Sequence, residues 1–167
     1  MARTGVSKAV LLDGAQMSMS AFIAGTMGFL KEHNIPVKDW ITYLGEAFDG
    51  SLDALQGEGA DRVMEHLLPL QILPLGAEVI SDRSTADKAE AVVTTLPSRT
   101  VLEKFGTTPS EMLEGFGVTQ REFASVLDMF GPSAKSIGFR FKHQLKDGLE
   151  VLTLESASSG SKSGKKR

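Results

Sequence analysis

Apolar residues between positions 7 and 32 recur around much of a helical circumference, which predicts a long first helix buried on most sides. Gly14, Gly25 and Gly28 interrupt it. Glycine costs helix propensity, roughly 1 kcal/mol relative to Ala, so these positions imply close approach by a neighbouring element or ligand. The helix should end near His33-Asn34, because Pro36 biases Ile35 away from the helical region. Pro36 itself suits the opening of a second helix. There Trp40, Ile41, Leu44, Phe48, Leu52 and Leu55 follow spacings of 1, 3, 4, 4 and 3, an amphipathic stripe broken by Gly57 and Gly59. A third helix over 59–68 puts Ala60, Val63, Met64 and Leu67 on one face, with Pro69 ending it.

The period then changes. Residues 77–81 and 89–95 read as strands, and the polar segment 82–87 between them predicts an antiparallel pair. Thr108-Pro109-Ser110-Glu111 and Thr119-Gln120-Arg121-Glu122 each place a hydroxyl at a helix cap and a Glu three residues on. The first opens a short helix to about Glu114. The second opens a longer one with Phe123, Val126, Leu127 and Phe130 inward, closed by Gly131-Pro132. Phe139, Phe141, His143 and Leu145 then alternate with Arg140, Lys142 and Gln144, a half-buried strand. Lys146-Asp147-Gly148 makes a hairpin turn, and 149–155 returns. The fold class is α+β: a single domain over 1–155, with N-terminal helices packed on a roughly four-stranded antiparallel sheet and a C-terminal β-hairpin. Residues 156–167 form a flexible, basic Ser/Gly/Lys tail.

Composition narrows the chemistry. With 167 residues, 41% of them hydrophobic, the chain can bury a core without staples. Cysteine is absent, which excludes thiol nucleophiles, disulfides, Cys-ligated zinc and iron–sulfur clusters. The net charge of -3 hides an asymmetry, since Lys162, Lys165, Lys166 and Arg167 all lie in the tail. Without those four of the 18 basic residues, 14 remain against 21 acids. So acidic a body repels phosphate, and nucleic-acid binding through the folded domain is not expected. The most apolar stretch, 21–30, is about half the length a membrane-spanning helix needs. With no secretory signal pattern either, a cytoplasmic protein without a membrane span is expected.

The order of elements resembles the small ligand-binding domains of the 4-vinyl reductase type, and those related to aminothiazoline-carboxylate hydrolases. The likeness is carried by the 40–55 helix, the Leu75-Gly76-Ala77-Glu78-Val79 lead-in, the Val92-Val93-Thr94 strand and the closing Gly138-Phe139-Arg140-Phe141. It implies a hydrophobic or aromatic small-molecule pocket between helices and sheet, and dimerisation. The cysteines often found near the closing strands of such domains are missing here, so no thiol- or metal-dependent activity carries over.

Three histidines are the sparse resource. His33 sits at a helix end, where an imidazole satisfies terminal carbonyls. His143 alternates inward with Phe139 and Phe141; it reads either as a satisfied core residue or as a general acid–base. Glu46 reads as the solvated flank of the second helix or, with Trp40 and Tyr43 on neighbouring turns, as part of a groove. No HExxH, GxGxxG, phosphate-loop or GxSxG pattern exists, so no metal or cofactor is expected.

The leading expectation is a binding domain for a hydrophobic or aromatic small molecule, or an accessory subunit of a larger enzyme. Its pocket would lie between the first two helices and the closing hairpin. Met19, Phe22, Trp40, Tyr43, Phe139 and Phe141 would line it, with Glu46 and His143 orienting the ligand. The alternatives are a cofactor-independent lyase, isomerase or hydrolase using His143 or Glu46 as base, and a structural protein, such as a homodimer, that takes no ligand.

Overall fold

Period-two alternation builds the sheet in the computed structural model, which describes residue 5 and residues 7–157. β1 (Val79–Ser84), β2 (Lys88–Thr94), β3 (Phe139–Lys146) and β4 (Leu149–Ser156) form one antiparallel sheet in the order β1-β2-β4-β3. Ala91 faces Leu152 across one ladder and His143 faces Leu152 across the other. Alternate residues therefore enter the core: Ala89, Ala91 and Val93 from β2, Leu152 and Leu154 from β4, Phe139 from β3. The β3–β4 turn places Asp147 at φ 51° and Gly148 at φ 74°, the paired left-handed conformation that matches strand twist. β1 is an edge strand two residues later than expected, and mostly exposed. The basic tail lies, from residue 158 onward, outside the described residues.

The helices cover one face of this sheet. α1 (Lys8–Glu32) starts on Ser7, whose hydroxyl accepts the Val10 N–H, and ends at His33, whose Nδ1 bonds the Phe29 carbonyl at 2.9 Å. α1 is not buried on most sides. Ser20, Ile23, Ala24, Met27 and Gly28 form its inner stripe, while Leu11, Leu12 and Phe22 face outward, because neighbours pack on one side only. α2 (Val37–Ala47) stops well short of Leu55: Gly50 turns the chain at φ 85°, and a short 3₁₀ turn (Asp53–Leu55) follows. The apolar spacing continued past a real break because Leu52 returns to the core.

α3 (Ala60–Leu67) packs on β2 and β4. Pro69 does not end the helical path; it sits at the start of a wider turn over Leu68–Ile72, where a missing N–H costs least. α4 (Arg99–Lys104), capped by Ser98, was not signalled by periodicity, being only six residues long. Both expected capping boxes form. Glu111 accepts the Thr108 N–H at 2.8 Å to open α5 (Pro109–Gly115), and Glu122 accepts the Thr119 N–H at 2.7 Å to open α6 (Gln120–Ala124). α6 passes into a 3₁₀ helix (Ser125–Met129) and then α7 (Phe130–Ser136). Gly131-Pro132 thus lies inside a helical run, with Pro132 in the first turn of α7, where no intrahelical donor is lost.

Two of the three α1 glycines sit where the expected close approach occurs. A Cβ on Gly28 would lie 2.6 Å from the Phe116 carbonyl oxygen, and one on Gly25 would lie 3.4 Å from the Phe116 ring; Gly14 has open space. Opposite outcomes follow for one substitution at two positions. Gly14→Ala should stabilise the protein by up to about 1 kcal/mol through helix propensity. Gly28→Ala should destabilise it despite the same propensity gain, because backbone must move. Urea unfolding of the two variants beside the parent measures both signs.

Candidate functional site

The 3₁₀ helix Ser125–Met129 organises two depressions. A three-residue period puts side chains i and i+3 on one face. Ser125 and Asp128 thereby face a polar cleft, Val126 and Met129 face an apolar groove, and Leu127 fills the core. α2 can lie close to this wall because Gly45 has no side chain; a Cβ there would meet the Pro132 ring at 2.9 Å and the Met129 carbonyl at 3.2 Å.

The groove, about 480 Å³, runs between α1, α2 and the wall. Three of the expected lining residues meet there: Met19, Phe22 and Trp40, joined by Leu44, Phe48 and Phe130. The other three do not. Tyr43 points to solvent at 66% exposure, because it falls on the outer flank of α2. Phe139 is buried in the core between sheet and helices, being the inward residue where β3 begins. Phe141 packs behind the groove, its ring edge-on to Phe130 at 6.0 Å. The closing hairpin therefore backs the groove without lining it.

The cleft, about 630 Å³, opens on the other side of the wall, lined among others by Arg121, Ser125, Gln144 and the group around His143. His143 stacks on Phe141 at 6.5 Å and lies between two carboxylates. Its Nδ1 is 2.5 Å from Glu150 Oε1, and its Nε2 is 3.2 Å from Asp128 Oδ1. The Glu150 side chain is 1% exposed, and its second oxygen, Oε2, has no hydrogen-bond partner among the described residues. Two acceptors flanking one ring call for an imidazolium, since a neutral ring has only one N–H. Burial alone would push the His143 pKa down. The hydrogen bond and charge of Glu150, reinforced by Asp128, outweigh it and hold the ring above the ordinary 6.5. The exposed Asp128 is the loose partner, so Glu150 orients the ring while Nε2 looks toward the cleft. Such a ring donates a proton when charged and accepts one when neutral.

Glu46 takes no part in this. It is exposed on α2, lines neither depression, and its side chain has no hydrogen bond or ion pair among the described residues. Its helical phase, next to exposed Tyr43, sets it on the solvated flank. Glu150 is the residue that sequence reasoning missed. Leu154 and Leu152 fix the inward phase of β4, and two positions back along that phase stands Glu150. Asp128 and Arg121 gave no local signal, because only tertiary packing brings α6 and the wall beside β3. Among the described residues no group of three or more His, Asp or Glu is spaced to hold a metal ion, and no helix is long and apolar enough to cross a membrane. The chain matches no protein-family model and no curated protein sequence.

The raised His143 pKa fixes the sign of a pH effect. Its ion pair contributes stability in full below the unfolded-state value, about 6.5, and loses that contribution as pH rises through the higher folded-state value. Urea unfolding across that window should show stability falling with pH. His143→Gln should flatten the slope and, below the window, cost roughly 3 kcal/mol by leaving the Glu150 carboxylate buried without its cation.

Proposed function

We propose that the protein binds a hydrophobic or aromatic small molecule in the groove between α1, α2 and the 3₁₀ wall. One observation carries the reading: nearly every side chain lining the groove is apolar, yet Phe22 and Phe48 remain 68% and 54% exposed at its rim. Ser51, the one hydroxyl there, already bonds Ser133 at 3.1 Å. Covering such a surface gains about 25 cal/mol per Å² of apolar area, and the groove falls within the usual size range of small-molecule sites. Met19 and Met129 add walls that adapt to irregular apolar shapes. Where the protein works as an accessory subunit or homodimer, the outward Leu11 and Leu12 of α1 offer the apolar contact.

The single tryptophan, Trp40, reports directly from the groove. Its fluorescence should change saturably with a neutral, apolar aromatic probe such as N-phenyl-1-naphthylamine. The melting temperature should rise with probe concentration, as for any ligand of the folded state alone. Phe22→Asp, at an exposed rim position, should leave the fold intact and weaken probe binding about tenfold, the loss of one buried apolar side chain. A probe that binds Phe22→Asp as tightly as the parent, or that leaves Trp40 emission unchanged, would overturn the assignment.

A further inference from the structure

The cleft on the other side of the wall shares no lining residue with the groove, and we propose that it binds a small organic anion that also carries a hydrogen-bond donor, a hydroxy- or amino-carboxylate. Three placements support this. Arg121 lines the cleft, yet its guanidinium makes no ion pair among the described residues. A free guanidinium presents a planar fork of donors that matches a carboxylate. Glu150, which lines the same cleft, keeps a buried carboxylate oxygen without a donor among the described residues. Leaving such an acceptor unsatisfied is costly, and a hydroxyl or ammonium group on the ligand is the donor it lacks.

The third placement is His143, which lines the same cleft. Its Nδ1 is committed to Glu150 at 2.5 Å, while among the described residues Nε2 is held only by Asp128, at 3.2 Å from a side chain 65% exposed. Asp128 is the group an incoming carboxylate would displace from the ring. Charge explains the need for a donor as well as an anion. Arg121 and the His143 imidazolium balance Asp128 and Glu150, so a bare anion makes the cleft net negative, whereas a donor engaged by Glu150 offsets part of that cost. Phosphates, with more charge and no donor when fully ionised, fit less well.

The test follows the His143 imidazole resonances of the full chain, assigned with His143→Gln, during titration with glycolate or acetate at fixed ionic strength. Both probes carry the carboxylate; only glycolate adds a hydroxyl. Saturable shifts are expected for both, with glycolate roughly ten- to a hundredfold tighter, as one hydrogen bond to a charged acceptor supplies. Arg121→Met, at an exposed position, should abolish saturation by either probe. Asp128→Asn should tighten both by removing the competing charge. Glu150→Gln, where it folds, should erase the preference for glycolate. Equal affinity for the two probes, unchanged titrations in Arg121→Met, or no saturation in the parent would each overturn the proposal.

Discussion

A carboxylate stands where the sheet would ordinarily hold a leucine, and much of the structure answers to it. β4 turns Glu150, Leu152 and Leu154 toward the helices, with ladder partners on both sides. Burying an unpaired carboxylate costs several kcal/mol, so the position is tenable only with a cation beside it. The β3–β4 register supplies one: Leu152 faces His143, and the diagonal neighbour of that pair is Glu150. A one-residue slip would turn His143 outward and strand the charge. The Asp147-Gly148 turn, by fixing the loop length, also fixes this electrostatic match.

Close backbone contact does comparable work among the helices. α1 meets the end of α5 at Gly28, and α2 meets the start of α7 at Gly45; either approach would be blocked by a single Cβ. Lys31 reinforces the first contact by bonding the Gly117 carbonyl at 2.6 Å and Glu122 at 2.9 Å. Glu122 serves twice, since it also closes the capping box of α6. These contacts hold α1 and α2 apart by a set amount. The apolar groove is the space they leave, with Ile23 and Met27 of α1 turned to the core and Phe22 at its rim.

What could be read from the sequence was local. Capping boxes, the Asp-Gly turn and the β3–β4 hairpin depend on residues a few positions apart, and each formed where the pattern put it. What could not be read was the competition between helical geometries. The stripe from Trp40 to Leu55 keeps its spacing across Gly50 because Leu52 packs inward from a non-helical turn, so periodicity outlived the helix that explains it. Gly131-Pro132 looked terminal because proline stops a helix from within, yet it opened one. Of the site, His143 was legible from alternation. Its partners were not equally hidden: Glu150 obeys the same period of two, whereas Asp128 reaches the ring only through the path from α6 to α7.

That path is where the two depressions become one problem. An α-helix turns 100° per residue, so residues three apart drift around its axis; a 3₁₀ helix turns 120°, and they stay in line. Over five residues the wall thus keeps three distinct faces, polar at Ser125 and Asp128, apolar at Val126 and Met129, buried at Leu127. Phe130 continues the wall, with its ring edge-on to Phe141, which in turn stacks on His143. The groove and the imidazole are therefore joined by two ring contacts and by Asp128, which tethers the wall to the strand. A change at either side acts on the same short helix. 3₁₀ geometry, less favourable per hydrogen bond than α, is what lets so few residues separate an apolar surface from a charged one.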